Sequence, residues 1–307
     1  VVSDSRVDYV VAGEGEYVFY KLMEVLEQGG QMPKDIPGLA FMDNGDPHYL
    51  PFEAITDIDG IPEVPYHLVN VNQYLPTYGG KRTFYFQASR GCPRHCTYCY
   101  IQQYTKAKWH AQTAQHTIER LEYAHRNFDF ESVYFLDDNF FVDFDRAFEI
   151  AEWFVDKPLS YSLQGVEATD IVEFTPDQLS LLERSGCSRV TVGVETGSKR
   201  MRKLLGKRGT PDECREAVRM LRPYGIKVYC SFLTALPGET LEDLKSTIAL
   251  HQELPKINPN VHTSPIYNFC PYPGTPLYTY ATRRGFEPPT TLEGWSRVSW
   301  EDNVITN

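Results

Sequence analysis

Three cysteines, Cys92, Cys96 and Cys99, follow one another with the spacing Cys-x3-Cys-x2-Cys. Thiolates this close in sequence can hold one inorganic cluster, and cysteine thiolates are the usual protein ligands of iron–sulfur clusters. Three thiolates on a four-iron cube leave one iron without a protein ligand, so that iron is open to a substrate or a cofactor. The spacing therefore predicts an iron–sulfur cluster that takes part in chemistry.

A structural zinc loop is the alternative interpretation of the same cysteines. Zinc sites usually have four ligands, which come in pairs from separate segments. No second pair lies near the triplet, so His95 or His110 would have to complete the set. The triplet therefore favours a cluster over zinc.

The triplet resembles the signature of the radical S-adenosylmethionine (SAM) enzymes, where the residue before the last cysteine is usually aromatic, as Tyr98 is here. The resemblance implies that the cysteines hold a [4Fe–4S] cluster whose open iron chelates SAM. Reductive cleavage then gives methionine and a 5′-deoxyadenosyl radical, with electrons from a flavodoxin- or ferredoxin-type reductant. The resemblance covers roughly residues 80–285, and its later segments are Leu136-Asp137-Asp138-Asn139-Phe140, Gly193-Val194-Glu195-Thr196-Gly197-Ser198, Leu236-Pro237-Gly238-Glu239-Thr240 and Pro273-Gly274-Thr275-Pro276.

The N-terminal segment resembles the end of the cobalamin-binding domain of one large subgroup of these enzymes. The similar residues are Val7-Asp8-Tyr9-Val10-Val11-Ala12-Gly13-Glu14-Gly15-Glu16, together with the Ile61-Pro62-Glu63-Val64-Pro65 linker. That subgroup implies cobalamin-dependent methylation of an unactivated carbon. The base-displacing Asp-x-His-x-x-Gly segment has no counterpart here and the first residue is Val, so we expect a fragment that binds cobalamin weakly or not at all.

Four regions follow from this interpretation. Residues 1–50 are expected to be the remnant of an α/β cobalamin-binding domain plus a hairpin, and residues 51–80 a linker. Residues 81–285 are expected to be the radical SAM core, and residues 286–307 the start of a C-terminal extension. The sequence is expected to lack most of an N-terminal domain.

Composition sets limits on the class of protein. The 307 residues are 42% hydrophobic, typical of a globular protein, and carry a formal charge of −11. This charge argues against nucleic-acid binding, which usually shows a basic footprint. No apolar run reaches the length of a membrane span and no signal peptide is visible. Clustered cysteines of this kind suit a reducing cytosol, so we expect a cytoplasmic enzyme with a small-molecule substrate.

The chain alternates between strand and helix patterns from Thr83 onwards. Alternation of this kind implies parallel strands with helical crossovers, and six strands are too few for the eight-stranded barrel. The resemblance implies an open, six-stranded (β/α)6 partial barrel. Strands are predicted near 83–88, 132–136, 159–164, 188–194, 226–234 and 261–268, and helices near 113–127, 144–155, 176–185, 211–222 and 240–253. Earlier, residues 6–12 predict a strand, 16–28 a helix, and Asn44-Gly45 a hairpin turn.

Ligands of parallel α/β folds bind beyond the carboxyl ends of the strands, so the motifs after each strand should meet on one face. The cysteine loop follows the first barrel strand. The other residues expected there are Asp137 and Asp138 after the second strand, Gln164 and Glu167 at the end of the third, Glu195 and Thr196 at the fourth, and Pro237 and Gly238 after the fifth.

These residues have candidate roles. Asp137 or Asp138 would accept hydrogen bonds from an ammonium group, and the resemblance places them near the amino group of the methionine moiety. Glu195 suits hydroxyl groups, and the Pro237-Gly238 turn would line the adenine pocket through its backbone. Tyr98, Gln164 and Thr196 complete the expected cofactor contacts. Helix capping is the alternative for Asp137, Asp138, Glu195 and Glu239, although Asp143 is better placed to cap the helix at 144–155.

Other residues have less specific signals. Cys187, Cys214 and Cys230 are expected to be buried, whereas Cys270 ends the last strand on the active face. Four tyrosines crowd the same end, where they would stack on a ligand or form the rim of a pocket. A basic stretch at 199–208 would either face solvent or contact an anionic substrate. The tyrosines are Tyr267, Tyr272, Tyr278 and Tyr280.

Three further functions compete with methylation. A cobalamin-linked radical oxidoreductase or cyclase would have the same motifs and a different substrate pocket. A methylthiotransferase needs a second cluster with its own three cysteines, for which this sequence offers no candidate triplet. A non-catalytic iron–sulfur electron carrier would leave Asp137, Asp138, Glu195 and Gly238 without a purpose.

Overall fold

The structure, a computed structural model, describes residues 1–29 and 34–299. Its first part, here called the N-terminal unit (residues 1–50), contains β1 (Tyr9–Val11), α1 (Glu16–Gln28), β2 (Leu39–Asp43) and β3 (Asp46–Tyr49). The strands form an antiparallel sheet in the order β1-β2-β3. Asn44 and Gly45 have φ of 49° and 93°, as expected for a two-residue hairpin turn. The predicted strand at 6–12 is shorter in the structure.

The remaining elements follow from residue 77 onwards. They are β4 (Thr77–Tyr78), β5 (Lys81–Phe86), β6 (Ser89–Gly91), α2 (Ile101–Thr105), β7 (Trp109–Ala111), α3 (Ala114–Asn127), β8 (Ser132–Phe135), α4 (Phe144–Phe154), β9 (Ser160–Val166), α5 (Ala168–Glu173), α6 (Pro176–Arg184), β10 (Cys187–Glu195), α7 (Lys199–Leu205), α8 (Pro211–Met220), β11 (Lys227–Thr234), α9 (Leu241–Ile257), β12 (Val261–Asn268), α10 (Pro276–Thr282) and α11 (Leu292–Trp295).

The main sheet has seven strands in the order β12-β11-β10-β9-β8-β5-β4. Six of them are parallel and follow chain order across the sheet, and β4 adds an antiparallel edge next to β5. The sheet curls into a half-barrel, which confirms the predicted partial barrel. The β4 strand was not predicted, because residues 51–80 carry several prolines and little periodicity. Two short 3-10 segments, Tyr66–Leu68 and Val71–Gln73, also lie in this stretch.

The core lies between the sheet and the helices that cover its outer face. On β5, Phe84 and Phe86 are buried against the helices, whereas Tyr85 between them is 45% exposed, because successive strand residues face opposite sides. Thr175 and Thr210 cap α6 and α8, each with a capping box and with proline at the start of the helix, as the sequence predicts. None of the helices in the described ranges is long and apolar enough to cross a membrane.

Candidate active site

The three cysteines lie in the cluster loop (residues 92–99), which follows β6 beyond the carboxyl end of β5. Thr97 at its centre is fixed on two sides. Its amide donates to the carbonyl of Leu205 and its hydroxyl to that of Leu204, each at 2.8 Å, and its own carbonyl accepts from Leu277 at 2.9 Å. The loop is therefore held against α7 and α10.

The segment that leads into the loop is a short antiparallel ribbon of β6 and β7. Gly91 adopts φ of +83°, and a Cβ there would lie 2.0 Å from the carbonyl oxygen of Lys108. A side chain therefore cannot be accommodated without moving the ribbon backbone. The glycine before Cys92 is thus required by the close approach of the two strands.

The thiols of the three cysteines are free, with Cys96 buried and Cys92 and Cys99 half-buried. Burial raises the pKa of each, to about 11 for Cys99. No group of three or more Cys, His, Asp or Glu in the described ranges is arranged to hold a single metal ion. The spacing and position of the loop fit a cluster.

Asp137 and Asp138, after β8, contact the ribbon. The carboxylate of Asp137 is 1% exposed and accepts hydrogen bonds from the amide of Ala88 and the hydroxyl of Ser89. The carboxylate of Asp138 accepts from the Gly91 amide at 2.8 Å. Burial raises the pKa of Asp137 to about 6, with the Ser89 hydrogen bond opposing it. Both residues therefore support the segment before the cluster loop, and a direct cofactor contact stays a prediction.

A cavity of about 420 Å³, here the strand-end cavity, opens beside the cluster loop. Glu195 lies at its edge, is 8% exposed, and has φ of +66°, a left-handed conformation that is costly for a residue with a side chain. Burial raises the pKa of Tyr98 and of Glu195, and the nearby Glu195 charge adds to the rise at Tyr98. The cavity is lined by Tyr98, Cys99, Tyr100, Glu195, Ser231, Leu233, Tyr267, Asn268, Phe269, Cys270 and Tyr272.

The other predicted site residues lie in different surroundings. Gln164 is exposed near the end of β9, and Pro237 and Gly238 form the half-buried turn after β11. Thr196 is fully buried, and its hydroxyl lies 2.9 Å from that of Thr247 on α9. Of these predicted residues, Glu195 lines the strand-end cavity, whereas Gln164, Thr196, Pro237 and Gly238 do not.

Other residues cap the helices for which acidic residues were the alternative candidates. The acidic candidates were Asp137, Asp138, Glu195 and Glu239. Asp143 caps α4, Ser198 caps α7 and Thr240 caps α9. Glu239 instead accepts a hydrogen bond from Thr234 at 2.9 Å. Its second carboxylate oxygen is buried without a partner among the described residues.

An ion-pair network that includes a residue of the cluster loop was missed by sequence reasoning. Arg94, inside the loop, pairs with Glu167 at 2.9 Å, and Lys207 pairs with the other oxygen of Glu167 at 3.3 Å. Burial lowers the pKa of Lys207, but Glu167 and Glu195 outweigh it and raise the pKa overall. Arg94, Glu167 and Lys207 are far apart in sequence. The only sequence feature that pointed to this network was the position of Glu167 at the end of a strand on the active face.

The basic stretch at 199–208 mostly faces solvent, as one of the two interpretations expected, because its exposed residues include Lys199, Arg200, Lys203 and Arg208. Arg202 is 3% exposed and donates to backbone carbonyls of Val194, Arg208 and Gly209. Arg200 pairs with Asp243.

Cys187, Cys214 and Cys230 are buried as expected, while Cys270 and Tyr272 line the strand-end cavity.

A second and larger cavity, here the linker cavity, has a volume of about 880 Å³ and lies between α1, residues 58–66 and β5. Gln112 is one of its lining residues but is only 1% exposed, and its side-chain oxygen is buried without a hydrogen-bond partner among the described residues. Arg90 and Glu16 also line this cavity. Its apolar walls include Tyr17, Phe19, Tyr20, Ile61 and Phe86.

Curated relatives are similar over most of the chain. A protein of Pyrococcus horikoshii named as an uncharacterised methyltransferase is 29% identical over 276 residues, which are 90% of this chain and 58% of the relative. The anaerobic magnesium-protoporphyrin IX monomethyl ester cyclase of Synechocystis sp. is 29% identical over 235 residues, which are 76% of this chain and 46% of the relative. The chain thus spans about half the length of these relatives.

Solved structures share the fold. The cobalamin-dependent SAM radical enzyme OxsB superposes with a TM-score of 0.69 and 17% identity, over 93% of this chain and 46% of that one. The radical SAM methyltransferase TsrM of Kitasatospora setae, with cobalamin and a [4Fe–4S] cluster bound, gives 0.66 and 17%, over 89% and 53%. A family profile described as the Radical SAM superfamily matches residues 86–251, more than half of the chain. The chain therefore belongs to the radical SAM superfamily.

Proposed function

We propose that this chain contains the catalytic barrel of an enzyme that cleaves SAM reductively and uses the radical for cobalamin-dependent methylation of an unactivated carbon. One observation carries the proposal. A loop with three free thiols lies beside a cavity of about 420 Å³ that is lined by Tyr98, Cys99 and Glu195. A pure electron carrier would have no use for a cavity next to its cluster.

In this proposal Cys92, Cys96 and Cys99 hold a [4Fe–4S] cluster, which supplies the electron that cleaves SAM. The protein's part is to bind, orient and shield. Glu195 lines the cavity together with Tyr98 and would accept hydrogen bonds from hydroxyl or ammonium groups of SAM. The hydrophobic Leu233 and Phe269 would exclude water from the radical.

Methylation is favoured over the alternatives by the relatives named as methyltransferases. Ring closure is the second candidate, because cyclases of three organisms are also similar to this chain, at 23–29% identity. The two reactions would share the cluster and the SAM site and differ in substrate. The substrate is proposed to be a small molecule, and the reductant an external one-electron donor.

Product analysis tests the proposal. The anaerobically reconstituted protein is incubated with SAM and a chemical reductant, with and without cobalamin, and the products are separated by mass. We expect 5′-deoxyadenosine and methionine from the wild-type protein and neither from a Cys92→Ala, Cys96→Ala, Cys99→Ala variant. Equal product from both proteins would contradict the proposal.

A further inference from the structure

The β6 strand, just before the cluster loop, is held from two directions. Ser89 and Gly91 are bound from the barrel side by Asp137 and Asp138. Arg90 between them extends the other way, because side chains alternate along a strand. The Arg90 side chain reaches the N-terminal unit.

Arg90 forms a fork with two glutamates of that unit. Its Nη1 lies 3.0 Å from Glu14 Oε1, and its Nη2 lies 2.5 Å from Glu16 Oε1. The Glu14 side chain is 3% exposed, and its second oxygen accepts a hydrogen bond from the Ile55 amide. Glu14 is therefore bound on both oxygens, to the ribbon and to the linker, which fixes its position.

Few other ionic contacts join the two parts. Among residues 1–29 and 34–299, the only other ion pair between the N-terminal unit and later residues is Arg6 with Glu293, and both side chains are more than 60% exposed. An exposed pair of this kind contributes little because water and salt screen it. The Arg90 fork is thus the main ionic connection between the N-terminal unit and the barrel in the described part of the chain.

We propose that this fork is a positioning contact that sets the cluster loop against the N-terminal unit. Arg90 precedes Cys92 by two residues, so its backbone lies within roughly 7 Å of that ligand along the strand. Because Arg90 and Gly91 are paired with His110 and Trp109 in the ribbon, a shift of the unit moves the start of the loop. Arg90 and Glu16 also line the linker cavity, so a ligand there contacts the same ion pairs.

The positioning role of the fork rests on the proposed function in one respect, which is that the loop holds the cluster. Hydrogen exchange on the full 307-residue chain tests the coupling for Arg90→Gln, Glu14→Gln and the double variant. Arg215→Gln is the matched control, because Arg215 pairs with Glu253 at 2.9 Å and is similarly exposed. Arg90→Lys keeps the charge but loses the fork, and guards against a general folding defect.

We expect amide exchange in residues 9–16 and 89–99 to accelerate together by at least about tenfold, the factor for one lost charged hydrogen bond. The double variant should be no faster than the single variants, and Arg215→Gln should leave both segments unchanged. Acceleration confined to 9–16, or additive effects in the double variant, would overturn the coupling.

A spectroscopic measurement separates positioning from plain stability. In reconstituted Arg90→Gln we expect about four iron per chain as in the wild type, but a changed paramagnetic resonance spectrum of the reduced cluster when SAM is added. An unchanged spectrum would overturn the positioning role. Exchange can also be measured on metal-free protein, so a wild-type chain that binds no iron would contradict the proposed function and leave the coupling test intact.

Discussion

The strand-end cavity and the linker cavity are built in different ways. The first is formed by the ends of β10, β11 and β12 and by the cluster loop. The second is formed by α1, an irregular stretch at 58–66 and β5, which lies next to the edge strand β4. Parallel sheet geometry assembles the first automatically, whereas the second depends on how distant segments pack. The difference explains why the sequence indicated only the smaller of the two.

The polar groups of the two cavities differ as well. In the strand-end cavity, burial raises the pKa of Tyr98, Cys99 and Glu195, so they remain neutral more readily than usual. In the linker cavity the charged residues are already paired, Arg90 with Glu16 and Arg120 with Glu63. The strand-end cavity is thus lined by groups whose pKa burial raises, whereas the linker cavity is lined by paired charges.

The largest expected effect concerns the cluster. Changing Cys92, Cys96 and Cys99 together to Ala should reduce iron from about four per chain to none after anaerobic reconstitution. Changing the buried Cys187, Cys214 and Cys230 instead is the matched control and should leave iron unchanged. Iron retained by the first variant would show that the strand-end cavity is not beside a cluster.

Iron uptake should also depend on pH. Because burial raises the pKa of the three thiols, they are protonated at neutral pH and must release protons to bind iron. Uptake should therefore be weaker near about pH 6 than near about pH 8. Iron titrations across this range check the direction, and stronger uptake at the lower pH would contradict it.

The next largest effect separates Glu195 from Asp138. Losing a hydrogen bond to a charged group costs about 1.5–3 kcal/mol, so Glu195→Ala should weaken SAM binding roughly ten- to a hundred-fold with iron unchanged. Asp138→Ala should weaken SAM binding and also lower iron, because Asp138 holds the Gly91 amide. Glu183→Gln, at the other end of the barrel, is the control. Wild-type SAM affinity in both alanine variants would remove them from the SAM site.

The linker cavity should bind cobalamin only weakly in residues 1–307. Its walls supply apolar surface, but a cofactor of this size needs most of its surface covered. Titration followed by the cobalamin absorbance shift measures this binding. Tight stoichiometric binding would mean that the barrel and linker build the site.

The smallest effect concerns Thr196, which was predicted to contact a cofactor but lies outside the cavity. Thr196→Val should lower the free energy of unfolding by about 1 kcal/mol through the lost hydroxyl contact with Thr247. SAM affinity should stay the same within about twofold. A large loss of SAM affinity would show that Thr196 acts on the strand-end cavity through Glu195.

The six parallel strands and the common face of the motifs could be predicted because strand–helix alternation has a simple period. The role of Asp137 could not, because it depends on which way a short ribbon folds back over the strand end. Arg94 and Lys207 were missed because nothing in the sequence distinguishes them from the other basic residues. Only the folded chain shows that both pair with Glu167. The edge strand β4 was missed because a strand of only two residues is too short to show an alternating pattern of polar and apolar residues.

The left-handed backbone at Glu195 has a consequence for any attempt to make this protein more robust. A non-glycine residue in that conformation costs about 1–2 kcal/mol, so Glu195→Gly would relieve backbone strain. It would also remove a buried carboxylate that favours the charged form of Lys207, and it would add chain entropy to the unfolded state. The strain at this position is therefore offset by the charge that it places in the cavity, and glycine there offers no simple route to a more heat-resistant protein.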